Sequence, residues 1–253
     1  MPDSRQALHE EHEPEAISRR LAAPVSHSYL ADAVLGAIDG CVTTLAVVAG
    51  AVGAKFPPTV AIVLGLANLL ADGFSMAVSN YQSGRTREDQ LQKTRREEYD
   101  HIARFPEGEV EEIRQIFVAK GFSGATLDDI VATITSDVES WVDTMLVEEH
   151  GLALEVPHPW LSALATFFAF IAVGLIPLLP FMITSLTPAQ VFPASVVMSL
   201  AAFFAVGVLK GHVLNDRRLR FGLETMMAGS MAGLLAYAAG SVLRDFFGIT
   251  EAG

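Results

Sequence analysis

Two aspartates stand inside otherwise apolar stretches of this chain, and the chemistry open to them is exchange of a proton for a metal ion. Asp39 lies in the stretch 30–54 and Asp72 in the stretch 58–83. Wound as helices, Asp32, Gly36, Asp39 and Thr43 share one face at i, i+4, i+7 and i+11. Asn68, Asp72, Ser75, Met76 and Ser79 share a face of the second stretch. An ionised carboxylate turned to lipid costs several kcal/mol, so Asp39 is expected to face protein or water. The bland alternative is an aspartate hydrogen-bonded at a helix junction. Met76 offers a polarisable thioether, although a lone membrane methionine is ordinarily packing. Two carboxylates and a thioether suit Fe²⁺ or Mn²⁺ better than Mg²⁺ or Ca²⁺, which take oxygen ligands. Carboxylates bind metal only when deprotonated, so metal and proton compete for them.

A second group of candidates lies in a polar segment. Residues 85–155 hold 17 acidic and eight basic side chains, against 29 and 17 in the whole chain. A carboxylate cluster beside a membrane is suited to collecting hard or borderline cations. Glu98-Tyr99-Asp100-His101 contains Glu-x-x-His, which sets both side chains on one helical face as in di-iron helices. Glu97 adjoins it, Glu109 and Glu112 are three apart, and Glu149 follows Met145 by one turn. Each pair alone is no more than a solvated face; their joint occurrence points to metal. Glu107, Glu111, Asp128, Asp129, Asp137 and Glu139 read as surface charge.

The elements that must position these groups follow from hydropathy. The chain has 253 residues, 51% hydrophobic, with mean hydropathy +0.39. Residues 161–183, 191–209 and 225–243 carry no charge. Each run can cross a hydrocarbon core of about 30 Å as a helix. With the two aspartate-bearing stretches this predicts an all-α integral membrane protein of five spans, with a cytosolic helical insert between spans two and three. The expected boundaries are a cytosolic tail at 1–27, spans one and two within 28–83, and a metal-binding insert at 84–158. Spans three to five fall within 159–247, leaving a short tail at 248–253. Arg19 and Arg20, the basic cluster after span two, and Lys210, Arg217, Arg218 and Arg220 lie on one side of such a layout. The excess of basic residues marks that side as cytosolic and puts the C-terminus outside. Met1 to His27 lacks an apolar core of a secretory signal. Its His9-Glu10-Glu11-His12 run reads as a mobile tail. Cys41 is the sole cysteine, which rules out an intrachain disulfide and predicts a small packed residue. No basic patch of nucleic-acid type is present.

Within the insert, residues 84–104 are expected to extend the second span as helix, broken at Phe105-Pro106-Glu107-Gly108. A helix over 109–120 carries an apolar stripe of Val110, Ile113 and Phe117 and ends at Gly121. Thr126 is the expected N-cap of the next, and 137–150 forms the last, ended by Gly151. Pro177 and Pro180 should kink span three.

Several motifs then stand together. Asp32-Ala-Val-Leu-Gly-Ala-Ile-Asp39-Gly40 lies in span one and Gly73-Phe-Ser75-Met76 in span two. Trp141-Val-Asp-Thr-Met145 and Glu149-His-Gly151-Leu end the insert, and Gly174-Leu-Ile-Pro177-Leu-Leu-Pro180 lies in span three. In this order the chain, over about residues 28–247, resembles the vacuolar iron transporter family. The resemblance implies a homodimer with a pore between protomers that exchanges Fe²⁺, often also Mn²⁺, for protons across a bacterial plasma membrane or a vacuolar membrane. It implies that Asp39 and Met76 line the pore, and that Glu98, Glu109, Glu112 and Glu149, with Met145 nearby, gather ions in the cytosol. Three positions depart from the family pattern. Asn68 stands where a span-two glutamate is expected, with Asp72 one turn later; His101 replaces an insert glutamate; Leu146 replaces a second methionine. The alternatives are a membrane-anchored ferritin-like ferroxidase or metal buffer using Glu98, His101, Glu109, Glu112 and Glu149, and a Ca²⁺ or Mn²⁺ carrier.

Overall fold

A computed structural model describes residues 9–23, 27–214 and 216–248. Every regular element among the described residues is a helix. Five helices are long and apolar enough to cross a membrane. They are α1 (Leu30–Gly53), α2 (Pro58–Arg104), a third span Pro159–Met182 that begins with α6 (Pro159–Gly174), α7 (Pro188–Val213) and α8 (Arg218–Phe247). Between spans two and three lie α3 (Pro106–Ala119), α4 (Gly124–Thr135) and α5 (Val138–Glu148).

The 47 residues of α2 form one helix. At 1.5 Å per residue that is about 70 Å, more than twice a hydrocarbon core. Its second half must therefore leave the apolar layer, as residues 84–104 were expected to do. There α3 and α5 pack against it, and α4 packs on those two, to form a polar lobe. Leu91, Ile102, Ile113, Leu127, Val131, Trp141, Val142, Met145 and Leu146 make the lobe's apolar core.

In the spanning part α1 is central, packed against α2, α6 and α8. Glycines let it approach closely. A Cβ on Gly36 would run into the carbonyl oxygen of Thr166, and one on Gly40 into that of Phe170. Cys41 is fully buried with Leu45, Ala202 and Phe203, the packing role expected of it. Span three breaks where its prolines predict. After Gly174 comes a 3₁₀ turn, Ile176–Leu178, then a short helix Leu179–Met182. The Ser195 hydroxyl donates to the Pro177 carbonyl at 2.6 Å, satisfying one acceptor that the break leaves free.

Two helix starts differ from the sequence expectation. Pro106 does not prolong the break; it opens α3 three residues before Glu109, because its fixed φ suits the first helical turn and its missing N–H is no loss there. α4 starts at Gly124 after Ser123, so Thr126 lies inside the first turn instead of capping it. Asp137 does cap α5, accepting from the Ser140 N–H at 3.1 Å. Gly121 and Gly151 sit at positive φ of 96° and 64°, as chain reversals after helices favour. The N-terminal region read as a tail contains a helix, Pro14–Ala22. The C-terminal tail lies outside the described residues from 249 onward.

Candidate metal sites in the spans and in the polar lobe

α1 and α2 bring the two intramembrane aspartates into one region, close enough for the Asp72 charge to bear on Asp39. Both are half-buried, as is Met76, while Ser75 is exposed. The Asn68 side-chain nitrogen is buried without a hydrogen-bond partner. Thr43 directs its hydroxyl to the Asp39 carbonyl oxygen at 2.9 Å, a bond within its own helix.

Asp32 is held in a junction of three helices. Asn80 on α2 donates to Asp32 Oδ1 at 2.8 Å, to Thr166 Oγ1 at 2.7 Å and to the Ser162 carbonyl at 3.3 Å. The Thr166 hydroxyl in turn reaches the Ser162 and Asp32 carbonyl oxygens at 3.0 Å and 3.3 Å. Sequence reasoning missed Asn80 and Thr166. Asn80 had a signal, since it lies one turn beyond Met76 on α2.

The lobe assembles a denser site. Glu98 on α2 is 2% exposed and Glu109 on α3 is 5% exposed. Glu98 Oε1 lies 2.9 Å from His150 Nε2, and Glu109 Oε1 lies 3.5 Å from His101 Nδ1. The second oxygen of each carboxylate is buried with no hydrogen-bond partner. Ligand atoms of Glu98, His101 and Glu109 fall within 4.8 Å of one another, and so do those of Glu98, Glu149 and His150. Glu112 is exposed but close enough to act electrostatically on Glu109, Glu149 and His150. A buried carboxylate with an unsatisfied oxygen is costly unless something pairs with it, and a divalent cation would pair with several at once.

One expected ligand, Glu97, lies outside both groupings. Glu97 pairs with Lys93 at 3.5 Å on the exposed side of α2. Met145 is fully buried in the lobe's apolar core. His150 was missed.

Burial, then the neighbouring Glu112 and Glu98 charges, push the Glu109 carboxyl up to about 7. Burial and Glu112 likewise raise Glu149. The hydrogen bond to Glu98 raises His150. The sign is the same for stability in all three. Each group holds in the folded lobe a proton that the unfolded chain gives up at lower pH, so its stabilising contribution fades as pH rises through the folded value. Metal binding runs the other way, because ligands must shed protons. Lobe affinity for a divalent ion should therefore climb most steeply around pH 7. Isothermal titration with Co²⁺ from pH 6 to 8 checks this, and Glu109→Gln should flatten the profile while weakening binding.

The fold and these clusters define a five-span membrane protein with a ligand-rich helical lobe between spans two and three. Residues 30–241 match the VIT family, and the chain belongs to that family. It is similar to vacuolar iron transporter 1 of Arabidopsis thaliana, at 30% identity over 214 residues, covering 84% of this chain and 85% of the relative. It is 32% identical over 228 residues to the vacuolar iron transporter of Toxoplasma gondii, covering 87% of this chain and 76% of the relative. The vacuolar iron transporter of Plasmodium berghei is 26% identical over 225 residues, covering 85% and 82%.

Proposed function

We propose that this protein is a transporter that carries Fe²⁺, and Mn²⁺ with it, out of the cytosol in exchange for protons. The observation that carries the reading is the pair of acids, Asp39 on α1 and Asp72 on α2, near each other inside apolar spans and only half-buried. A carboxylate so exposed in a membrane needs water, a cation or another protein surface beside it. A homodimer that lines a pore with α1 and α2 of both protomers meets that need. Met76 adds a softer ligand on the same face, and Asn68, Ser75, Asp32 and Thr43 complete the pore lining in this reading.

The lobe is the cytosolic intake. Its buried glutamates and partly exposed histidines collect ions and deliver them along α2, the one helix common to both sites. The basic residues of the N-terminal segment, of the stretch after span two and of the 210–220 connection support a cytosolic lobe. The membrane is a bacterial plasma membrane or a vacuolar one. Membership of a family whose relatives are named transporters supports this reading over a ferroxidase. The lobe's short helices, of 14, 12 and 11 residues, also fall short of a ferritin-like bundle.

The test is flux. Purified protein in liposomes with an inward-acid gradient should take up Fe²⁺, and Asp39→Ala should reduce uptake to the level of protein-free vesicles. Equal flux in both would sink the reading.

A further inference from the structure

The lobe contains two imidazoles where a purely carboxylate collector needs none. His101 faces Glu109 from α2, and His150 reaches Glu98 from the end of α5. Each belongs to a separate three-residue grouping, and Glu98 is common to both. Glu98 is 2% exposed and its second oxygen has no partner, so a buried acceptor is available at the point where the groupings meet. Both rings are partly exposed, with side chains 57% and 33% accessible, so they can turn toward an ion without unpacking the core.

We propose that the lobe holds a pair of divalent ions bridged by Glu98, one bound by His101 and Glu109 and the other by His150 and Glu149, and that the two histidines set its metal preference. This deepens the intake reading above by assigning its selectivity. Carboxylate sites suit Mg²⁺, Ca²⁺ and Mn²⁺, whereas imidazole suits the later divalent ions. One imidazole per ion biases the lobe toward Fe²⁺ and its heavier neighbours and against Mn²⁺. Met145, in the apolar core, is not needed for that bias.

The experiment uses full-length protein in detergent with Asp39→Ala and Asp72→Ala, which removes the membrane carboxylates from the count. Mn²⁺ bound to it is examined by electron spin echo envelope modulation for coupled ¹⁴N, and Co²⁺ and Mn²⁺ affinities are measured at fixed pH. The expected result is clear nitrogen modulation, reduced by His150→Leu and removed when His101→Glu is added. The Co²⁺/Mn²⁺ affinity ratio should fall about tenfold or more per histidine, within the range by which metal-site partners alter affinity. His150→Gln can keep a hydrogen bond to Glu98 but offers no ring nitrogen. It should reduce the modulation as far as His150→Leu does, which separates ligation from support of the fold. Metal bound without nitrogen modulation, with an unchanged ratio in the variants, overturns the proposal and leaves the intake reading standing. No metal bound in the lobe overturns both, while the flux assay on wild type still judges transport by itself.

Discussion

Gly40→Ala should yield little or no folded protein, although it adds a single methyl group. The new Cβ would collide with the Phe170 carbonyl oxygen and sit 3.0 Å from the Phe170 carbonyl carbon and Cα. These are backbone atoms of α6 and cannot swing away as a side-chain end could. α1 and α6 would have to part along their whole contact, since Gly36 is pressed against Thr166 one turn earlier. Gly174 of α6 faces back, 2.8 Å from the Gly40 carbonyl oxygen at its own would-be Cβ. Overpacking a core typically costs about 1–3 kcal/mol, and a backbone collision with no rotamer to relieve it belongs at or beyond the upper end. The same separation would strain the Asn80 bonds to Asp32 and Thr166, which tie α2 to this pair. Gly50→Ala is the control in the same helix. Its nearest neighbour would be the Ala236 carbonyl oxygen at 3.6 Å, an ordinary contact. Monodisperse yield on size exclusion and the melting temperature in detergent read the difference. A Gly40→Ala protein as stable as Gly50→Ala would show that α1 and α6 do not pack this closely.

This packing also explains what the sequence could and could not convey. Uncharged runs of 19 to 23 residues declare spans without ambiguity. Two glycines four residues apart, Gly36 and Gly40, are a pattern that admits a close helix partner, but the pattern does not say that the partner is α6. Partner identity is a tertiary fact, carried by complementary glycines distant in the chain. The lobe shows the same division. Glu98 and Glu109 stood out as possible ligands from their spacing, yet nothing local told that they are the buried acids while Glu97 and Glu112 are exposed. That depends on α3 lying against the end of α2.

His150 illustrates the limit most sharply. A histidine just past a helix end has no periodic signature, and it meets Glu98 only because α5 returns across 52 residues of sequence to the side of α2. Met145 carries a core signal besides the spacing that marks it as a ligand. With Trp141, Val142 and Leu146 it forms an i, i+1, i+4, i+5 stripe, the pattern of a buried face, and the structure puts all four in the core. Pro106 reads as a breaker by residue type, whereas a proline at the head of a helical stretch marks its first turn.

Asp72→Asn should abolish metal flux while leaving the protein folded, and a second substitution should restore part of it. The substitution keeps the size of the side chain and removes the charge, so packing around half-buried Asp72 changes little. What is lost is the carboxylate on α2 whose charge bears on Asp39 of α1. Two anions held near one another favour a divalent cation between them, or a proton on one of them. With one removed, a divalent ion meets a single carboxylate and the exchange loses its counter-charge. Asn68 lies four residues before Asp72, about 6 Å along the same face of α2. Its side-chain nitrogen is buried and unpaired, so it contributes no hydrogen bond that replacement would break. Asn68→Glu in the Asp72→Asn background returns a carboxylate to that face at a shifted depth, and the longer side chain offsets part of the shift. Uptake of Fe²⁺ into liposomes should be absent in the single variant and measurable in the double. If Asp72→Asn transports normally, the aspartate pair is not the exchange site. If the double variant stays silent while folded, the depth of the carboxylate matters as much as its presence, and the pair must act through a fixed geometry set by α1.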